Sequence, residues 1–583
     1  MPTTRNYRAI FECNVTATMR DGTVLRADIW RPDAPGKFPV LLTRTPYYKS
    51  EPRHYISGVD PVRTVGEGYV IIYQDVRGRF ASEGEWAYEA ELDDGYDAVE
   101  WAASLPFSDG NVGMFGISYL GITQWMAASA KPPHLKAIFP QQIGNGGEYI
   151  RARGVFNYGG MLMWAATMAG DRLMRRAAAG DDVRAAVKDL MGIMDGMPDA
   201  HARLPISGGN PVVSENFPTY DRWLAELEND DFWRRISWAH RLKDIDIPVF
   251  SLGSWHDLVP GGTTELFAGM CERAPSDKTR KSQKLLMGPW VHGQLASDVV
   301  SELYMGLSST ALLSDLPGLH IRWFDHWLKG KDTGFMNEPP VRIFVMGDNV
   351  WRSENEWPLA RTKWTNYYLH SSGRANTRDG DGMLDASPPA AAEPFDAYLY
   401  DPRNPVPTVG GPTLLPGTMI GANAGPKEQS RVESRADVLV YTTAVLESDV
   451  EVTGPLKATL YARTTAPDTD WTVKLVDVHP DGRAYSVMDG IVRARYRSGP
   501  SHPELLEPGK VYEYQIDLQA TSQVFKKGHR IRVQVSSSNF PCYPRNPNTG
   551  RPIATETELV PAMQTVLHDA DHPSHIRLPI IPR

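Results

Sequence analysis

Short and almost continuously apolar runs punctuate the first part of the chain at 39–43, 69–74 and 112–115. Runs of this length, rich in β-branched residues and separated by helical stretches, predict a largely parallel sheet covered by helices. The pattern changes from about 147 to 242. There 161–176 and 183–197 are rich in Ala, Met, Leu and Arg with few β-branched residues, which predicts a helical insertion or cap. Strand-like runs return at 248–253 and 284–287, each preceding a loop with polar residues, so the sheet is expected to resume after the insertion. Beyond about 349 short alternating runs, such as 471–478, 511–518 and 530–536, are separated by Pro, Gly and Asp and predict a β-sandwich or jelly roll. The expected division is 1–146 and 243–348 for the two parts of the α/β domain, 147–242 for the cap and 349–583 for the jelly roll. The Pro- and Gly-rich stretch 401–426 keeps apolar residues and reads as an ordered loop.

The length of 583 residues agrees with this division, since single cores stop growing at about 250–300 residues. A net charge of −9 argues against a nucleic-acid partner, and the one basic cluster, Arg172, Arg175 and Arg176, reads as a solvated helix face. The three cysteines, Cys13, Cys271 and Cys542, fit neither a disulfide framework nor a thiolate metal site. Residues 1–16 are broken by Arg5, Arg8 and Glu12, unlike a secretory signal, and no apolar run approaches the roughly 20 residues that span a bilayer. The expectation is a soluble cytoplasmic protein.

The chemistry begins at Gly116-Ile117-Ser118-Tyr119-Leu120-Gly121, where an apolar strand runs through a serine into a helical stretch ending near Ala130. A strand-to-helix turn of this kind holds a serine strained and exposed, and the helix start aims N–H groups at any negative charge developing beside it. Leu120 stands where the simplest G-x-S-x-G pattern has glycine, and Gly121 follows. Two other Gly-x-Ser triplets, at Ser308 and Ser501, do not join a strand to a helix.

A serine hydroxyl needs a base to remove its proton, and that base needs a carboxylate to fix its tautomer. In α/β-hydrolases the chain order is Ser, then acid, then His. Asp257 follows the run 248–253, and His292 follows 284–287, so both fall at the expected end of the sheet. His256 is a rival base on the same loop as its acid, whereas Asp244 and Asp246 precede the strand and fall at the opposite end. For the oxyanion, the backbone N–H of Tyr119 is one candidate donor, and the hydroxyl of Tyr47 or Tyr48 is a second.

The chain resembles the bacterial cocaine esterase family of α/β-hydrolases, which includes glutaryl acylases, α-amino acid ester hydrolases and Xaa-Pro dipeptidyl peptidases. The resemblance rests on Pro46-Tyr47, Gln74-Asp75-Val76-Arg77-Gly78 with Ser82-Glu83-Gly84, the Ser118 segment, Trp255-His256-Asp257 and Gly288-Pro289-Trp290-Val291-His292, and it covers nearly the whole length. It implies an α/β-hydrolase domain with an inserted helical cap and a C-terminal jelly roll, an oxyanion site built from Tyr47 and Tyr119, and a homodimer. It also implies an acyl pocket around Trp164, Val259, Leu415 and Pro416. Family members that accept α-amino acyl groups are expected to carry carboxylates just beyond the acid, where this chain has Leu258, Val259 and Pro260. Members acting on benzoyl esters line the pocket with aromatics. Trp164 matches one such position, whereas Val259 and Pro416 do not.

The expected activity is hydrolysis of carboxylic esters by Ser118, His292 and Asp257 through an acyl-enzyme, with no metal or organic cofactor. An amidase or acylase using the same triad is the alternative within the class. Outside it stands a non-catalytic scaffold with a carbohydrate-binding jelly roll.

Overall fold

In the strand Phe38–Thr45 successive side chains part to opposite sides of a sheet: Val40 and Leu42 join one hydrophobic core and Leu41 the other. The same alternation runs through Val70–Asp75, where Val70 and Ile72 face the first core and Ile71 and Tyr73 the second. Both faces are covered, which is why these strands read as continuous apolar runs. The computed structural model describes residues 7–52, 58–313, 315–390, 392–415 and 423–583.

The sheet has ten strands, in the spatial order Ala9–Thr18, Val24–Pro32, Val70–Asp75, Phe38–Thr45, Ser108–Ile117, Leu135–Gln141, Phe250–His256, Lys284–Val291, Val341–Val345 and Val350–Glu354. The strands from Val70–Asp75 through Val341–Val345 run parallel, and antiparallel strands finish both edges. Helices Glu91–Ser104 and Tyr119–Ala130 cover one face through Ala98, Val99, Ile122 and Met126. Helix Leu316–Lys329 covers the other through Trp323, Phe324 and Leu328.

The strand Val350–Glu354 lies beyond the boundary expected at 349, yet it pairs with Val341–Val345 and so belongs to this first sheet. Its five residues carry no period that assigns them to either sheet, and its partner reveals where it belongs.

Between Leu135–Gln141 and Phe250–His256 the chain leaves the sheet for a run of helices, the longest being Tyr158–Ala178. Trp223 and Trp238 of this insertion share one core with Trp125 of the sheet-covering helix, so the cap is packed down rather than tethered. Among the described residues the C-terminal region is a largely antiparallel assembly of eleven strands around its own core, with one parallel pairing between Met383–Asp385 and Leu439–Thr442. Its long strand Val450–Thr464 sends Leu456, Ala458, Leu460 and Ala462 inward at every second residue, as strand geometry requires. Among the described residues no helix is long and apolar enough to cross a membrane.

Candidate active site

Ser118 is the single residue between the strand Ser108–Ile117 and the helix Tyr119–Ala130, and its backbone has φ 60° and ψ −123°. Such a conformation costs about 1–3 kcal/mol in a residue with a Cβ and persists only when its surroundings impose it. Here the Ser118 N–H donates to Gln141 O at 2.9 Å, while its carbonyl accepts from the N–H groups of Gly121 and Ile122 at 2.7 and 3.1 Å.

The glycines around it follow from close approach. A Cβ on Gly116, where φ is +135°, would fall 2.5 Å from Leu120 Cβ, and one on Gly121 would fall 2.8 Å from Ile143 Cγ2. Leu120 therefore occupies space that Gly116 vacates. The second glycine is shifted to 121 because that is where the helix passes Ile143.

The strands on which the acid and base were expected end later than their apolar runs suggested, at His256 and Val291, so Asp257 and His292 emerge directly from neighbouring parallel strands. His292 Nδ1 lies 2.6 Å from Asp257 Oδ1, which also accepts the Leu258 N–H at 2.7 Å. Asp257 is fully enclosed, and its Oδ2 has no hydrogen-bond partner among the described residues. A carboxylate so placed favours an imidazolium forming beside it. His256, the rival base, is buried with neither ring nitrogen hydrogen-bonded among the described residues, so none of them orients it as an acid would, and burial pushes its pKa down to about 4.

Both loops are held from outside themselves. Gln142, at φ 47°, donates from Nε2 to Ser254 Oγ at 2.5 Å and to Val291 O at 3.1 Å, and its Oε1 accepts the Gly293 N–H at 2.7 Å. One side chain thus grips the strand leading to the acid and both neighbours of His292. From the β-domain, Gln519 Nε2 donates to Leu258 O at 2.9 Å and its Oε1 accepts the Gly261 N–H at 3.3 Å, fixing the chain just beyond Asp257.

The Ser118 hydroxyl lies 3.3 Å from the hydroxyl of Tyr149, whose ring centroid is 6.2 Å from that of His292. Burial keeps the Tyr149 phenol well above its usual pKa, so it is a neutral hydrogen-bonding group. Tyr47 accepts the Trp164 indole N–H at 2.9 Å through an oxygen lone pair. The Tyr119 N–H sits at the first helical position, where helices leave their donors without intrahelical acceptors. Its ring is pinned below: the hydroxyl donates to Glu91 Oε1 at 2.8 Å and accepts from Trp86 Nε1 at 3.0 Å, and Glu91 pairs with buried Arg44 at 2.5 Å.

Of the expected pocket residues, Trp164 stacks on Tyr119 at 6.1 Å and beside Trp223 at 5.7 Å. Val259 is buried at the start of helix Pro260–Arg273, two residues beyond Asp257. Leu415 is enclosed with Val155, Ile491, Cys542 and Tyr543 and abuts Gly159, so it packs the seam between cap and β-domain. Pro416 lies outside the described residues. Tyr149, Gln142 and Gln519 were not anticipated. For Gln142 a signal existed, a polar pair at the end of a buried strand; Tyr149 and Gln519 carry none.

Fold and site together define a serine ester hydrolase of the α/β-hydrolase class. The family profile described as X-Pro dipeptidyl-peptidase (S15 family) matches residues 21–294, and that described as X-Pro dipeptidyl-peptidase C-terminal non-catalytic domain matches residues 333–577. The chain is 40% identical to the cocaine esterase of Rhodococcus sp. (strain MB1 Bresler) over 98% of both chains. Among solved structures it is similar to an aminopeptidase from a marine sediment archaeon, Thaumarchaeota archaeon (TM-score 0.80, 27% identity, covering 100% of this chain and 98% of that one). It is similar to an α-amino acid ester hydrolase as well (TM-score 0.79, 25% identity, with the same coverage). The chain belongs to the family that unites cocaine esterase with the S15 X-Pro dipeptidyl-peptidases.

Proposed function

We propose that Ser118, His292 and Asp257 hydrolyse carboxylic esters of small molecules through an acyl-enzyme. The observation that carries this reading is the 2.6 Å His292–Asp257 hydrogen bond at the ends of adjacent strands, with Tyr149 between it and a serine held at φ 60° by its own turn: the phenol lies 3.3 Å from the Ser118 hydroxyl and its ring 6.2 Å from that of His292. The Ser118 hydroxyl turns from Tyr149 toward His292, which takes its proton as the oxygen attacks the carbonyl. The Tyr119 N–H and the Tyr47 hydroxyl hold the resulting oxyanion, and His292 then protonates the departing alcohol. Water, deprotonated by the same imidazole, releases the acid and restores Ser118.

An ester with an uncharged acyl group fits best. Leu258, Val259 and Pro260 follow the acid, so no carboxylate at those positions meets a substrate ammonium, and aromatic Trp164 stands beside Tyr47. Parallel assays on matched esters and anilides separate an esterase from an amidase. Three free cysteines fit a reducing, cytoplasmic location, and light scattering against a chain mass of 64.9 kDa tests the homodimer that the family resemblance suggests. Ser118→Ala is expected to lower kcat for a short p-nitrophenyl ester by about 10⁶-fold, with binding largely kept. Retained turnover would remove Ser118 from its role.

A further inference from the structure

Far along the chain from these loops, two turns of the β-domain, one closing a hairpin and one joining strands that do not pair with each other, bring two imidazoles and a carboxylate together. Asp477 lies near the end of the strand Asp470–Val478, and His479 opens the turn that leads to Ala484–Arg493. His529 closes the turn between Tyr512–Phe525 and Arg530–Ser536. The pairing of Val478 with Arg530 sets the two turns side by side. One nitrogen of each ring and one carboxylate oxygen all lie within 4.8 Å of one another. Asp477 Oδ1 is 2.8 Å from His529 Nδ1, and Asp477 Oδ2 is 3.8 Å from His479 Nε2.

We propose that Asp477, His479 and His529 form a site for a divalent first-row metal ion, with zinc(II) the best match, that clasps these two turns of the β-domain. Nitrogen and oxygen ligands at about 2.0–2.1 Å from a tetrahedral zinc stand roughly 3.3 Å apart, so ligand atoms now within 4.8 Å need to close by about 1.5 Å at most, while the 2.8 Å Asp477–His529 contact opens by about half an ångström. Two imidazoles with one carboxylate select zinc, cobalt or nickel over calcium or magnesium, which prefer oxygen.

The surroundings fit a site rather than a chance encounter. Asp477 is buried, and its Oδ2 accepts from Gln523 Nε2 at 3.2 Å, which fixes the carboxylate plane. The His479 ring is flanked by Tyr485 at 4.9 Å and His529 at 4.4 Å. Nearby cations already have their own carboxylates: Arg483 pairs with Asp481, and Lys526 with Asp348 and Asp449. Both histidines keep some exposure, 25% and 14% of their side chains, leaving an entry for the ion and a position for water as the fourth ligand. None of these residues belongs to the ester-cleaving machinery, so the clasp acts on the stability of the β-domain.

The test uses tag-free full-length protein stripped with EDTA, titrated calorimetrically with ZnCl₂ and melted with and without it. A Cys13→Ser background removes the exposed thiol as a competing ligand. The expected result is one zinc per chain and a melting temperature raised by a few degrees by ZnCl₂ but not by MgCl₂, with ester turnover of the EDTA-treated enzyme unchanged. His479→Gln and His529→Gln are each expected to weaken zinc binding at least tenfold, whereas His370→Gln, in a separate His–Glu pair, leaves it unaltered. No stoichiometric zinc, or binding that survives His479→Gln, would overturn the proposal.

Discussion

The turn carrying Ser118 and the pair of loops carrying Asp257 and His292 are built in different ways. The turn is local. Its strain is met by backbone bonds to Gln141, Gly121 and Ile122, and its glycines sit where a Cβ would collide with Leu120 or Ile143. The loops are held by distant side chains, Gln142 from the neighbouring strand end and Gln519 from the β-domain. A local device is written into consecutive residues. A long-range one is written in places that gain meaning only after folding.

Substitutions sharpen this contrast. After Ser118→Ala, the largest effect is expected in the loops: Asp257→Asn leaves the shape and takes the negative charge from His292, lowering kcat by about 10⁴-fold in steady-state assays. Tyr47→Phe removes the proposed second oxyanion donor and is expected to cost about 10²–10³ in kcat with KM little altered. If KM rises while kcat holds, Tyr47 binds substrate rather than the transition state.

The contrast is tested most sharply by Gln142→Ala. Loss of its grip on Ser254, Val291 and Gly293 lets the acid and base loops drift, and a displacement near 1 Å costs up to about 10²-fold in rate. The expected outcome is a kcat lowered by about 10–10²-fold with Ser118 still bound in its turn, read as an unchanged near-UV circular dichroism spectrum. Gln142→Glu keeps the Gly293 acceptor but loses both donors, so it should recover only part of the rate. Gln519→Ala loosens only the chain beyond Asp257, and the expected loss is several-fold. A Gln519 effect larger than that of Gln142 would reverse the ranking.

This division also explains what the sequence made legible. The parallel sheet, the cap and the β-sandwich were readable because buried parallel strands, cap helices and half-buried antiparallel strands leave different periodicities. Ser118, Asp257 and His292, the proposed triad, stood out in the sequence because each follows an apolar run in the order this fold uses. The edge strand Val350–Glu354 fell past the expected boundary because its five residues carry no period that ties them to the first sheet. Tyr149 sits 31 positions from Ser118 in the cap, where nothing in the spacing links the two hydroxyls. Gln519 reaches its partner over 261 positions, between parts of the chain that the sequence separates into domains.

The most direct measurement of the central claim is covalent. Incubating the enzyme with a fluorophosphonate, digesting it and sequencing the modified peptide by mass spectrometry identifies the nucleophile without reference to any substrate. The account predicts one adduct per chain, on Ser118, formed at a rate that falls steeply in Asp257→Asn. An adduct on Ser308, Ser501 or any other residue, or no adduct while ester turnover proceeds, would contradict it.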